Sequence, residues 1–276
     1  LIQMELTERD FRDFSALIYE KSGINLHQGK RELLKARLAK VLRQSHFSSV
    51  REYYDYLMKD ESGDAFIPLL DVISTNLTAF FREARHFDFL ADTVVEELFQ
   101  SGGRKSSGDI RVWCAGCSSG EEAYSLAMTL IQALPPGRHK DIRILATDIS
   151  TRMLNIADRG VYEASRVEKV PMPIRRTYFQ KGINGWQGYY RVKKPVKEKI
   201  QFQRLNFMEP FTFSHNFDVV FCRNVMIYFD KATQENLVGR FYDVLNRPGY
   251  LFIGHSESLT SVKHSFRYLR PSVYKK

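Results

Sequence analysis

The stretch Arg111-Val-Trp-Cys-Ala-Gly-Cys-Ser-Ser-Gly-Glu-Glu-Ala-Tyr-Ser-Leu-Ala-Met-Thr-Leu130 constrains the fold more than any other, because it reads as a strand, a glycine turn and a helix. A second strand, Ile142-Arg-Ile-Leu-Ala-Thr-Asp148, follows and ends on an acid. In an open α/β sheet the carboxyl ends of neighbouring strands frame the ligand crevice, so Gly116, Gly120 and Asp148 are expected to face one bound molecule. A carboxylate there suits a ribose, whose hydroxyls need acceptors.

The glycines do not follow the G-x-G-x-x-G spacing, and the helix opens with Glu121 and Glu122. Two carboxylates at a helix N-terminus repel a pyrophosphate, which normally occupies that place. A nucleoside with a cationic tail fits better, and S-adenosylmethionine carries a sulfonium and an amino group. The alternative is that both acids only complement the helix dipole.

At 276 residues the chain has length for two domains. It has no run of 18 apolar residues and no secretory pattern at its start, so a cytoplasmic protein without membrane insertion is expected. The three cysteines fit a reducing compartment. Cys114 and Cys117 form a C-x-x-C without a second pair, so no metal site is expected. The net charge of +9 equals the excess of one segment, Arg159 to Arg204, which holds 12 basic and 3 acidic residues. Such a patch points to an anionic partner, nucleic acid or an acidic protein surface, or else to a solvated face.

Residues 1–75 read as a helical module. Phe11, Phe14, Leu17 and Ile18 share one helix face, and Leu34, Leu38, Val41 and Leu42 share another. Ser22-Gly23 separates the two helices, and a third is expected from Val50 to Lys59. The second helix carries Lys30, Arg31, Lys35, Arg37, Lys40 and Arg43 against Glu32, a composition suited to an acidic helix bundle or to a solvated face. From Pro68 to Leu98 the pattern is again helical, which would place Thr78 and Arg82 on one face. Gly102 to Gly108 reads as a polar connector. Beyond Asp148, Tyr189–Val192 and Ile200–Leu205 look like strands of a small antiparallel insertion, with a hairpin loop from Gly182 to Gly188. Phe217–Cys222 is a buried strand, and Asp230 is the N-cap of the helix that follows.

Taken in order, Asn76-Leu-Thr-Ala-Phe-Phe-Arg-Glu83, Trp113 to Tyr124, Ala146-Thr-Asp148 and Cys222-Arg-Asn-Val-Met-Ile-Tyr-Phe-Asp230 resemble the CheR family of chemotaxis receptor glutamate O-methyltransferases over almost the whole chain. The resemblance implies an α/β fold. A seven-stranded, Rossmann-like, S-adenosylmethionine-dependent methyltransferase sheet (111–276) would carry an inserted antiparallel β-subdomain at about 171–204. An N-terminal helical receptor-docking domain (1–75) and a helical linker contributing to the active site (76–110) would precede it.

It also implies roles. Asn76, Thr78 and Arg82 would line the cofactor from above, and Gly116 would belong to the glycine turn beneath it. Glu122 would contact its methionine end, Asp148 its ribose, Asn206 and Phe207 the adenine region, and Arg223 and Asn224 the methionyl portion. Arg82 and Tyr228 would be the catalytic candidates. The implied products are glutamate methyl esters and S-adenosylhomocysteine. The implied partner is the cytoplasmic helical bundle of a chemoreceptor, with the enzyme recruited to membrane receptor arrays. In some relatives the β-subdomain also binds a receptor C-terminal peptide by strand addition, for which the edge near Tyr189 to Lys194 is the candidate.

A glutamate is already a carboxylate at neutral pH, so this chemistry needs no strong base. The rival readings are a nucleic-acid methyltransferase, disfavoured by the lack of an Asn-Pro-Pro-Tyr type of sequence after the strand at Cys222, and a non-catalytic binding module.

Overall fold

Thr7 starts the first helix, α1 (Glu8–Ser22), through a reciprocal cap: its hydroxyl accepts the Asp10 N–H at 3.1 Å, and the Asp10 carboxylate accepts the Thr7 N–H at 3.2 Å. Gly23 ends it with φ +73°, a conformation that favours glycine. Helices α2 (Arg31–Arg43), α3 (Val50–Lys59) and α4 (Ile67–Ile73) share one apolar core with α1 around Phe14, Ile18, Leu38 and Leu69. The computed structural model describes residues 5–60, 64–74, 76–100 and 108–276. The expected connector from Gly102 lies outside them except for Gly108.

Residues 76–84 form a turn-rich loop rather than the expected helix, because Phe81 and Glu83 take φ values of +52° and +57°. Thr78 and Arg82 therefore share a loop, not a helix face. Phe80 anchors the loop edge-on against Tyr162 and Phe179, and the Phe81 N–H donates to Ser125 Oγ at 2.9 Å. Helix α5 (Arg85–Phe89) then passes through a π-helical turn, Leu90–Val94, into α6 (Val95–Gln100).

The main sheet is built from β1 (Ile110–Ala115), β2 (Ile142–Asp148), β6 (Ile200–Arg204), β7 (Phe217–Cys222), β8 (Leu245–Ile253), β9 (Arg267–Arg270) and β10 (Val273–Lys275). Its order is β6-β2-β1-β7-β8-β10-β9, parallel from β6 to β8 and antiparallel at β10 and β9. The central strands are mostly apolar because both faces are covered. Helix α7 (Glu121–Ala133) packs with Val112 and Cys114, while α12 (Lys231–Val244) packs with Trp113 and Ala115.

Helix α8 (Thr151–Arg159) leads from β2 into the insertion, which contains β3 (Val161–Glu163), α9 (Ala164–Val167), α10 (Met172–Tyr178), β4 (Phe179–Lys181), β5 (Tyr189–Val192) and α11 (Lys194–Lys197). Its sheet has the order β3-β5-β4, so it begins at Val161, ahead of the expected boundary. The strand at Ile200 is not part of it. That strand is β6, paired with β2 from Ile144–Ile200 to Asp148–Arg204, because Ile200 and Phe202 alternate onto the core around α7. Likewise β5 is the central strand of the small sheet, so Tyr189–Val192 presents no free edge. The edges belong to β3 and β4.

Hydrogen bonds hold the helical domain over the carboxyl ends of the main sheet. The Tyr19 hydroxyl donates to Asp230 at 2.6 Å, Asn206 Nδ2 to the Lys21 carbonyl at 2.7 Å, and the Asn25 N–H to the Tyr228 carbonyl at 2.9 Å. The Asp71 carboxylate on α4 accepts from the Ser150 hydroxyl and the Arg152 N–H at the start of α8. No helix among the described residues is long and apolar enough to cross a membrane.

Candidate active site

The turn after β1 shapes the floor of a cleft. Gly116 has φ +87°, and a Cβ there would lie 2.4 Å from Val225 Cγ2, so both conformation and space require glycine. The N–H groups of Gly116 and Cys117 donate to the Thr147 carbonyl at 2.8 Å each, which ties the turn to β2. The two acids that follow diverge. Glu121 turns to the insertion, paired with Arg166 and accepting from the Ser119 hydroxyl at 2.8 Å, whereas Glu122 faces the cleft.

Glu122 accepts from Arg223 Nη1 at 2.9 Å and from the Cys114 thiol at 3.3 Å. Arg223 Nη2 lies 2.9 Å from Glu83 Oε2 and also donates to the Arg82 carbonyl. One fully buried guanidinium thus joins two carboxylates. Burial pushes Glu122 above the usual carboxylate range against the pull of Arg223. Glu83 also feels burial, but the Arg223 hydrogen bond and charge win and hold it low.

At the end of β2, Asp148 Oδ2 accepts the Ser118 N–H at 2.8 Å and Oδ1 the Ser150 N–H at 2.9 Å. Burial raises this carboxyl despite those bonds. Each oxygen keeps acceptor capacity toward the cleft, as a ribose diol requires. Asn206 behaves differently: Nδ2 donates to the Lys21 carbonyl and to Glu209 Oε1, and Oδ1 accepts the Met208 N–H. Its bond to Lys21 braces the two domains and its bond to Glu209 is local, and the apolar wall beside it comes from Ile149, Leu205 and Phe207.

Arg82 and Tyr228 line the same cleft. Arg82 Nη1 donates to the Leu77 carbonyl at 2.8 Å, and Lys30 Nζ sits 5.7 Å from the centre of the Tyr228 ring. The turn bearing Asn224 and Tyr228 is held by Glu257, whose carboxylate accepts the N–H groups of Gly254, Asn224 and Val225 at 2.6, 2.9 and 3.0 Å.

Asn76, Thr78, Arg82, Gly116, Glu122, Asp148, Asn206, Phe207, Arg223, Asn224 and Tyr228, all singled out from the sequence, line this one cleft of about 1050 Å³, its open mouth included. Sequence reasoning missed Glu83 and Glu257. Glu83 is the last residue of the loop motif and was given no role, because nothing in the sequence announces its bond to Arg223. Lys30, which the sequence assigns to the basic docking helix, lies in the cleft wall.

The fold and the glycine turn define a nucleoside-dependent transferase of the α/β class, and its buried acids suit a cationic cofactor. Residues 9–74 match the family model described as CheR methyltransferase, all-alpha domain, and residues 76–274 the one described as CheR methyltransferase, SAM binding domain. A chemotaxis protein methyltransferase of Borreliella burgdorferi is 39% identical, with 100% of this chain and 96% of that protein covered. One from Escherichia coli is 36% identical over 99% of this chain and 91% of its own length, and chemotaxis protein methyltransferase 2 of Pseudomonas aeruginosa is 36% identical over 99% and 94%. The chain belongs to the CheR methyltransferase family: it is an S-adenosylmethionine-dependent methyltransferase of chemotaxis.

Proposed function

We propose that the acceptors are glutamate side chains on the cytoplasmic helices of a chemoreceptor, with methyl esters and S-adenosylhomocysteine as products. The observation that carries this reading is the division of charge within the cleft. Its lining holds the carboxylates of Asp148 and of Glu122, the latter paired with buried Arg223, and the cations Lys30 and Arg82 with Tyr228. Carboxylates favour a cationic nucleoside, and Lys30 and Arg82 favour an anionic acceptor.

S-adenosylmethionine supplies a methyl group on a sulfonium sulfur; the acceptor oxygen bonds to that carbon as the carbon–sulfur bond breaks and its electron pair stays on sulfur. Glu122 receives the cofactor's amino group, Asp148 accepts from the ribose hydroxyls, and Asn224 lies by the methionyl portion. Asn76 and Thr78 cover the cofactor from the loop above. Arg223 touches this region through Glu122, whose carboxylate it holds in place. Ile149, Leu205 and Phe207 enclose the adenine. Arg82 attracts and orients the acceptor carboxylate, and the Tyr228 hydroxyl restrains its second oxygen. Holding oxygen, carbon and sulfur in line and excluding water supplies the rate.

Helix α2 docks the acceptor bundle. Among the described residues, Lys35, Arg37, Lys40 and Arg43 have no acidic partner within 4.0 Å, so their charge is available to an acidic surface. A receptor tail peptide would join the small sheet at β3 or β4, where exposed Ile183 and Trp186 border a groove with Gln180 and Lys181. Both contacts would bring a cytoplasmic enzyme to receptor arrays.

Incubation with radiolabelled S-adenosylmethionine and either receptor membranes or RNA tests the substrate. Base-labile methyl esters on the receptor are expected; label on RNA, or none on either, overturns the reading.

A further inference from the structure

Behind the Arg223 pair, three ligand-type side chains from separate elements converge. Glu83 comes from the loop before α5, His86 from α5 and His255 from the turn after β8. His86 Nδ1 lies 3.5 Å from Glu83 Oε2, and His255 Nε2 lies 3.8 Å from the same oxygen. The imidazole rings meet edge to face with centres 4.9 Å apart. Suitable atoms of all three residues fall within 4.8 Å of one another.

The feature that asks for an explanation is His86. It is 3% exposed, and neither ring nitrogen makes a hydrogen bond. Buried polar atoms in folded proteins are almost always satisfied, and an exception marks a missing ion or water or a functional demand.

We propose that Glu83, His86 and His255 form a binding site for a divalent transition metal ion of the zinc class. Two imidazoles and one carboxylate are a donor set that zinc accepts, with a fourth position left to solvent. The inward movement needed to reach bonding distance falls on His255, whose side chain is 52% exposed and forms the entrance. Arg223 Nη2 and the His255 N–H also reach Glu83 Oε2, at 2.9 and 3.2 Å, so Arg223 would be the outer partner of the ligating carboxylate, its charge shared with Glu122. The ion would cross-link the loop, α5 and the turn after β8, and this holds whatever the methyl acceptor is.

The test is titration of the metal-free protein with Zn²⁺, followed by calorimetry and by thermal unfolding. Wild-type protein is expected to bind one ion at micromolar concentration or tighter and to unfold at a higher temperature with it. His255→Ala, at an exposed position outside the cleft, should weaken binding at least tenfold and abolish the thermal shift, and His86→Gln should do the same. Absence of binding by the wild type, or unchanged affinity in His255→Ala, overturns the proposal. A retained thermal shift in that variant does so as well, since it would place the ion on other histidines.

Discussion

Arg223 donates to Glu122 at 2.9 Å on the cleft floor, and the same guanidinium reaches Glu83 at 2.9 Å. Removing it strands two carboxylates. Arg223→Met should cost about 3–5 kcal/mol of stability, the usual result of breaking a buried pair from one side. Denaturant unfolding checks this, and a loss below about 1 kcal/mol would contradict it. The double change Arg223→Met, Glu122→Gln should recover part of the loss.

Asp148→Asn keeps the shape of the β2 terminus but gives up one acceptor oxygen. S-adenosylhomocysteine binding should weaken about 10–100-fold, matching the loss of charge-assisted hydrogen bonds worth about 1.5–3 kcal/mol. Calorimetric titration reads this directly.

Burial raises the pKa values of Glu122 and Asp148 in the free protein. A cationic ligand needs Glu122 ionised, so cofactor affinity should fall on acidification, starting above the ordinary carboxylate range. For stability the sign is opposite. A carboxyl raised in the folded state contributes stability below its unfolded pKa and loses it as pH rises through the folded value. The two groups should therefore favour the ligand-free fold at acid pH while weakening ligand binding there. Titrations from neutral pH downward should show affinity falling before the ordinary carboxylate range is reached.

Glu257 acts through the turn it holds. Glu257→Ala leaves the N–H groups of Gly254, Asn224 and Val225 without their acceptor. A loss of about 3 kcal/mol in stability is expected, on the scale of buried unsatisfied groups. Turnover should fall with it, and Glu257→Gln, which keeps one good acceptor, should restore much of both. Equal defects in the two variants would argue against this role.

Single-turnover measurements at saturating receptor separate the roles of Arg82 and Tyr228. Arg82→Ala should raise the receptor concentration needed for half-maximal rate about tenfold and leave the chemical step nearly intact, since too strong a pairing would lower the nucleophilicity of the carboxylate. Tyr228→Phe should slow the chemical step itself. A defect of Arg82→Ala confined to chemistry would reverse the assignment.

Much of the architecture was legible because strand, glycine turn, helix and acid follow one another within Arg111 to Asp148. The loop at residues 76–84 was misread for a physical reason. Leu77, Phe80 and Phe81 have helical spacing, but Phe80 is spent on Tyr162 and Phe179 in the distant insertion, and Phe81 and Glu83 take positive φ. Alternation at Ile200 and Phe202 revealed a strand without revealing its sheet, since both sheets offer an apolar face. The cleft residues were found through motif order. Glu83 and Glu257 were not, because a carboxylate whose work is to satisfy backbone or a buried arginine looks in sequence like any surface acid.

The peptide hydrogen bond from Asn25 to Tyr228 has an implication for engineering. The helical module is not an interchangeable adaptor, because its first interhelical loop is one hydrogen bond away from the turn that presents Tyr228. A chimera that borrows a relative's helices to change receptor choice would have to import the matching Tyr228–Asp230 segment as well. Specificity and turnover would otherwise be altered together.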